Sequence, residues 1–141
     1  MSAEGRVVIV PCSSIGKTYG SVSREAAYRL IEELRPERSQ LLALSMLVMG
    51  DETATEAVAC RPTIIIDGCK LACARKIVQE SGGVVAEEFS VLDAYRRYRQ
   101  FKPKGIAELN EGGQLLAQAL ADEVGEAIDA LQKQPSPGGG Q

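Results

Sequence analysis

The sequence predicts an α/β fold: an open parallel sheet of about four strands in the order 2-1-3-4, sandwiched between helices in the Rossmann or flavodoxin manner. Three observations carry this prediction. Short apolar runs recur at residues 6–10, 40–44 and 63–66, a length suited to strands rather than helices. Segments with helical spacing separate them. The connections have the length of right-handed crossovers, which favours strands one and three as neighbours.

The elements follow in order. Val7-Val8-Ile9-Val10 makes residues 6–10 a strand buried on both faces. Residues 11–20, rich in Ser and Gly, form a loop. Ala26, Ala27, Leu30, Ile31 and Leu34 share one helical face and predict a helix over 22–34, which Pro36 ends. The run from Leu41 to Val48 fits either strand or helix, and βα alternation favours a strand at 40–44. Gly50-Asp51 breaks it, and Thr53-x-x-Glu56 reads as a capping box for a short helix ending near Ala59. Arg61-Pro62 turns the chain into the third strand, Thr63-Ile64-Ile65-Ile66, β-branched throughout. A helix over 70–81 turns Leu71, Ala74, Ile77 and Val78 to the core, and Gly82-Gly83 supplies a left-handed cap. A fourth strand at 84–88, a short helix at 92–101, a break at 102–105 and a long helix at 114–132 complete the chain. The expected organisation is one domain over 1–133, with its core in 6–100 and a disordered tail at 134–141.

With 141 residues, 45% hydrophobic and 25% charged, the chain can build a core without covalent staples. No apolar run approaches the roughly 18 residues that span a bilayer. The opening Met1-Ser2-Ala3-Glu4-Gly5 lacks the basic and apolar regions of a secretory signal, so a cytoplasmic setting with reduced thiols is expected. A net charge of −3, with no Trp and no His, leaves no footprint for nucleic acid. The expected partner is a metal ion or a small anionic ligand. Arg96-Arg97-Tyr98-Arg99 reads as a solvated helix face.

The chain has no histidine and four cysteines, so chemistry with soft ligands or nucleophiles falls to sulfur, carboxylates and hydroxyls. If strands one and three are neighbours with helices leaving to opposite faces, their C-terminal ends form the switch point where ligands bind in such folds. Cys12 follows the first strand and Cys69 the third. Cys69 and Cys73, four apart at a helix start, share a face, and the helix N-terminus favours thiolate. Cys12, Cys69 and Cys73 therefore supply three ligands for zinc, with Asp67, another carboxylate or water as the fourth. Cys60 precedes the third strand, which puts it about 15 Å away at the opposite edge of the sheet. It reads as a buried, apolar-like cysteine.

Two rivals remain open. A thiol enzyme would use Cys12 as nucleophile or redox thiol, with Cys69 or Cys73 resolving. A binding module would hold an oxyanion on Ser13, Ser14, Gly16, Lys17 and Thr18. Pro11-x-x-x-x-Gly16-Lys17-Thr18 lacks only the first glycine of a nucleotide-binding loop. However, Pro11 fixes φ where glycine freedom is needed, and the helix is expected to start after Gly20 rather than at Gly16. Nucleotide hydrolysis is disfavoured on both counts. The phosphate loop of thiol phosphatases is also missing, because the sixth residue after Cys12 is Thr18 and not arginine.

Three motifs give a family resemblance: Pro11-Cys12-Ser13-Ser14-Ile15-Gly16-Lys17, Val22-Ser23-Arg24-x-Ala26-x-Tyr28, and Asp67-Gly68-Cys69-x-x-x-Cys73-Ala74-x-Lys76. Over about residues 6–100 the chain resembles the DGC-domain family, small bacterial and archaeal proteins named after the central Asp-Gly-Cys. The resemblance implies a zinc-binding domain with no established biochemical role and four cysteine ligands. Cys12, Cys69 and Cys73 match the family motifs. The remaining family cysteine lies near the end of the second strand, where this chain has Ala43-Leu44-Ser45. A closed four-thiolate centre is thereby one ligand short.

Overall fold

A computed structural model describes residues 6–11, 18–68, 73–105 and 108–133. Four strands form one parallel sheet in the order β2-β1-β3-β4, as the sequence predicts. The two central strands, β1 (Val7–Pro11) and β3 (Thr63–Asp67), are buried at every position. Both are runs of branched apolar residues, which suits a strand covered on two faces. They pair in register from Val8 beside Thr63 to Pro11 beside Ile66. The edges are modest: β2 (Ser39–Leu41) has three residues, and β4 (Val85–Ser90) turns Glu87 and Glu88 to solvent. Short or charged edges blunt strand addition by other chains.

Alternation along the central strands divides the core. Val7, Ile9, Ile64 and Ile66 face one layer, built by α1 (Thr18–Arg29), α5 (Val91–Arg97) and α6 (Glu111–Lys133). Val8, Val10 and Ile65 face the other, built by α2 (Leu44–Val48), α3 (Glu52–Cys60) and α4 (Cys73–Glu80). The helix after β1 and the helix after β3 therefore lie on opposite faces, the condition for a switch point between those strands. Helix α6 lays Leu116, Leu120, Val124 and Ile128 into the first layer. Arg35 forks onto Asp129 of α6 at 2.9 and 2.8 Å, and Arg29 reaches Gln114 at 2.7 Å.

Several elements differ from expectation, each for a local reason. Helix α1 is already helical at Thr18, four residues before the expected start, and its small residues Gly20, Ser21 and Ser23 are buried. It ends in one wide turn over Leu30–Leu34, closed by Arg35 N–H on the Leu30 carbonyl at 2.7 Å. The ambiguous run after residue 40 divides: β2 stops at Leu41, and Leu44 begins a helix instead of ending a strand. The N-cap of α3 is Asp51, whose side chain accepts the Ala54 N–H at 2.9 Å, and not Thr53, which lies inside the helix. The end of α4 follows the sequence closely. Gly82 takes φ +88°, Gly83 N–H bonds the Val78 carbonyl and Gly82 N–H the Gln79 carbonyl, which together make a Schellman cap. The arginine cluster at 96–99 is solvated as expected, with Arg97 paired to Glu123. The tail at 134–141 lies outside the described residues.

The cap assignment is testable. Asp51→Ala should cost about 1 kcal/mol in urea denaturation, whereas Thr53→Ala should stay within roughly 0.5 kcal/mol of the parent chain. Equal losses would return the cap to Thr53.

Candidate functional site

The carboxyl ends of β1 and β3 lie side by side, with Pro11 opposite Ile66. The next residues carry the sulfur: Cys12 follows Pro11, and Cys69 follows Gly68. Of the sequence-predicted site residues, Cys12, Ser13, Ser14, Gly16, Lys17 and Cys69 lie outside the described residues, as does the Cys73 side chain. Cys73 itself is the first residue of α4, and Thr18 the first of α1, half-buried.

Gly68 shows why the turn after β3 is built as it is. A Cβ there would lie 2.8 Å from Gly20 N and Tyr19 O and 2.9 Å from Gly20 Cα. All three atoms are backbone, so no side chain can swing aside. The first turn of α1 is thus seated directly on the end of β3. The buried Ser23 hydroxyl fastens it there, donating to the Ile66 carbonyl at 2.6 Å. The sequence analysis assigned Ser23 no role. A serine in the apolar register of a helix, between Val22 and Ala26, was the available signal.

Asp67 is the electrostatic centre of the described part. It is 2% exposed. Its Oδ1 accepts the Ala74 N–H in the first turn of α4 at 3.1 Å, while its Oδ2, also buried, has no hydrogen-bond partner among the described residues. Burial raises the carboxyl from 3.8 to about 6; the Ala74 N–H opposes this, the nearby Glu88 carboxylate adds to it both by its charge and as a hydrogen-bond partner for the protonated form, and the Arg75 charge opposes it. Glu88 is itself held by Arg75 at 3.3 Å on the exposed side.

Cys60 needs correcting in one respect. It ends α3 ahead of β3, at the edge of the sheet remote from Asp67, but it is exposed and not a buried apolar-like residue. Its helix turns Ala54, Ala57 and Val58 inward, and position 60 falls on the outer side.

Sequence reasoning also left Arg24 and Tyr28 without a role. Both line a cavity of about 110 Å³ at the ends of β1 and β2, together with Pro11 and the Ala43-Leu44-Ser45 segment. Their spacing of four along one helix was the signal. No helix among the described residues is long and apolar enough to cross a membrane.

Fold and site together define a class: a parallel α/β protein in which the ends of β1 and β3 lie side by side at the carboxyl edge of the sheet, with the buried Asp67 and the tightly packed Gly68 at the end of β3. The DGC domain model matches residues 8–112, and the chain belongs to the DGC-domain family. No curated protein matches the chain, and no solved structure does. Most of α6 lies beyond the matched residues, yet it packs in the same core layer as α1 and α5.

Two outcomes are expected. Gly68→Ala should cost roughly 1–3 kcal/mol by urea denaturation, since backbone must move to admit the methyl group. A loss below roughly 0.5 kcal/mol would show that the contact relaxes freely. The second concerns pH, in metal-free protein. The unfolded chain releases the Asp67 proton near 3.8 while the folded chain holds it to about 6, so stability falls as pH rises through this window. Asp67→Asn keeps an acceptor for the Ala74 N–H without the charge. It should match the parent near pH 4 and exceed it near pH 7.5 by at most roughly 3 kcal/mol. A difference independent of pH would contradict the burial of an ionising group.

Proposed function

We propose that the chain is a metal-binding protein that holds zinc or a comparable soft metal on the thiolates of Cys12, Cys69 and Cys73. Asp67 serves as fourth ligand or as the carboxylate that orients the thiolates. The observation that carries this reading is the Asp67 Oδ2, buried and without a partner among the described residues, two positions before Cys69. A carboxylate withdrawn from water is costly unless a proton or a cation compensates it. A divalent metal at the switch point would do so, and the three cysteines are the ligands that the sequence places beside it. Among the described residues no three ligating side chains come together, so the thiols at 12, 69 and 73 bear the metal reading. Ala43-Leu44-Ser45 closes the β2 side without a thiol, which is why the fourth ligand falls to Asp67 or water.

A second reading has one specific observation in its favour. Thr18 is already helical, two positions after Gly16, which is compatible with a phosphate-binding loop over 11–18. Residues 12–17 link a central strand directly to a helix N-terminus, the setting in which Ser13, Ser14, Gly16, Lys17 and Thr18 would hold an oxyanion.

Metal analysis of protein purified without added zinc, with a free-thiol count, tests the proposal. The expected result is close to one zinc per chain, lost in Cys12→Ser and Cys69→Ser and retained in Cys60→Ser. Asp67→Asn should weaken zinc binding by about 10- to 100-fold. Metal-free protein carrying one unusually reactive thiol would replace the metal site with a thiol enzyme. Thermal stabilisation by phosphate or nucleotide that Lys17→Ala abolishes would favour the oxyanion loop.

A further inference from the structure

The motif Val22-Ser23-Arg24-x-Ala26-x-Tyr28 is only partly explained by packing. Val22 and Ala26 are in the core, and Ser23 fastens α1 to β3. Arg24 and Tyr28 stand one turn apart on the same face and do neither. Both line the cavity of about 110 Å³ at the carboxyl ends of β1 and β2. Its remaining walls are apolar, from Pro11, Leu41, Ala43 and Leu44, apart from Ser45. No described wall residue of this cavity is acidic.

Arg24 is half-buried and donates through Nη2 to the Ser21 hydroxyl at 3.1 Å. Among the described residues it forms no ion pair, in contrast to Arg29, Arg35, Arg38, Arg75, Arg96 and Arg97. Of the segments outside the described residues, 12–17, 69–72, 106–107 and 134–141 contain no Asp or Glu, and 1–5 contains one, Glu4. A guanidinium has five N–H donors in a planar fork that matches a carboxylate, and partial burial strengthens that match. The other side of Arg24 and Tyr28 borders a wider cavity of about 260 Å³, but Glu25 and Glu108 line it. Glu25 is already held by Arg29, and Glu108 would repel an anion. Charge therefore directs an anion to the smaller, acid-free side.

We propose that this smaller cavity binds a small organic carboxylate, with its carboxylate on the Arg24 guanidinium and the Tyr28 hydroxyl and its short aliphatic body against Leu41, Ala43 and Leu44. At about 110 Å³ the cavity is somewhat smaller than an apolar cavity of ~150 Å³ that takes benzene, room for the branched aliphatic end of an acid of about five carbons whose carboxylate lies at Arg24. This site uses none of the cysteines and not Asp67, but Pro11 and Ala43-Leu44-Ser45 also border the proposed metal site; Cys69→Ser, which should lose zinc, should still bind the carboxylate, so the two readings fail separately.

The test is titration of the full-length chain with isovalerate, followed by calorimetry and by backbone amide NMR shifts, with isovaleramide and inorganic phosphate as comparison probes. Isovalerate should bind saturably in the millimolar range, at least tenfold more tightly than either comparison probe. Arg24→Gln should weaken it at least tenfold. Ala43→Phe fills the cavity from an exposed position and leaves Arg24 in the chain, and it should abolish binding. It keeps the proposal falsifiable if Arg24→Gln does not fold. Equal binding of isovaleramide would show that charge is not read; equal binding of phosphate that Arg24→Gln weakens and Lys17→Ala does not would show that the apolar wall is not. Either result overturns the proposal. So does unchanged binding in Ala43→Phe, or no saturable isovalerate binding at all.

Discussion

The rest of the structure depends on a contact that leaves no space for a side chain: the backbone at Tyr19 and Gly20 pressed on Gly68. Two strand ends and one helix start are fixed by it at once. Six residues, 12–17, must then connect Pro11 to a helix whose first turn sits on the neighbouring strand. The Ser23 hydroxyl on the Ile66 carbonyl supplies direction to what would otherwise be apolar packing. A buried hydrogen bond of this kind is worth about 1 kcal/mol net, but losing one partner leaves the other unsatisfied at greater cost. The small residues of α1, at 20, 21 and 23, belong to the same constraint, since a larger first turn would hold the helix off the sheet.

Asp67, next to Gly68 in the chain, is withdrawn from water on the other face of the sheet. Its side chain faces α4, opposite in direction to the α1 contact, because successive strand residues alternate faces. One oxygen satisfies an orphan N–H of the α4 first turn, and the other is left over. A carboxylate that caps a helix and keeps a free buried oxygen is either protonated or matched to a cation. That choice motivates the proposed metal site, with Cys12, Cys69 and Cys73 as its proposed thiolate ligands.

The sheet order was legible because it follows from general rules: two runs buried on both faces, crossover handedness, and helices of adequate length between them. The cap at Gly82-Gly83 was legible because its requirement, a residue at positive φ, is met by one residue type. Asp51 was misread in favour of Thr53 because both match a capping pattern, and only the hydrogen bond to Ala54 separates them. Leu44 was placed in a strand because a short apolar run has no period that distinguishes strand from helix. Cys60 was read as buried from its residue type, whereas its exposure depends on which way α3 is rotated. Arg24 and Tyr28 drew attention as part of a motif, but their cavity is completed by Leu41, Ala43, Leu44 and Ser45, residues outside that motif.

By itself the sequence determined which segments are central strands, that β1 and β3 are neighbours, and that a cysteine follows each of their ends. These are properties of local residue type and of chain connectivity. Only the tertiary structure decided that α1 starts at Thr18 on top of Gly68, that Asp67 is buried with one oxygen unmatched, and that Arg24 forms no ion pair among the described residues at the mouth of an apolar cavity. Burial and charge pairing are set by residues twenty to fifty positions apart brought within a few ångströms, and no local pattern records that distance.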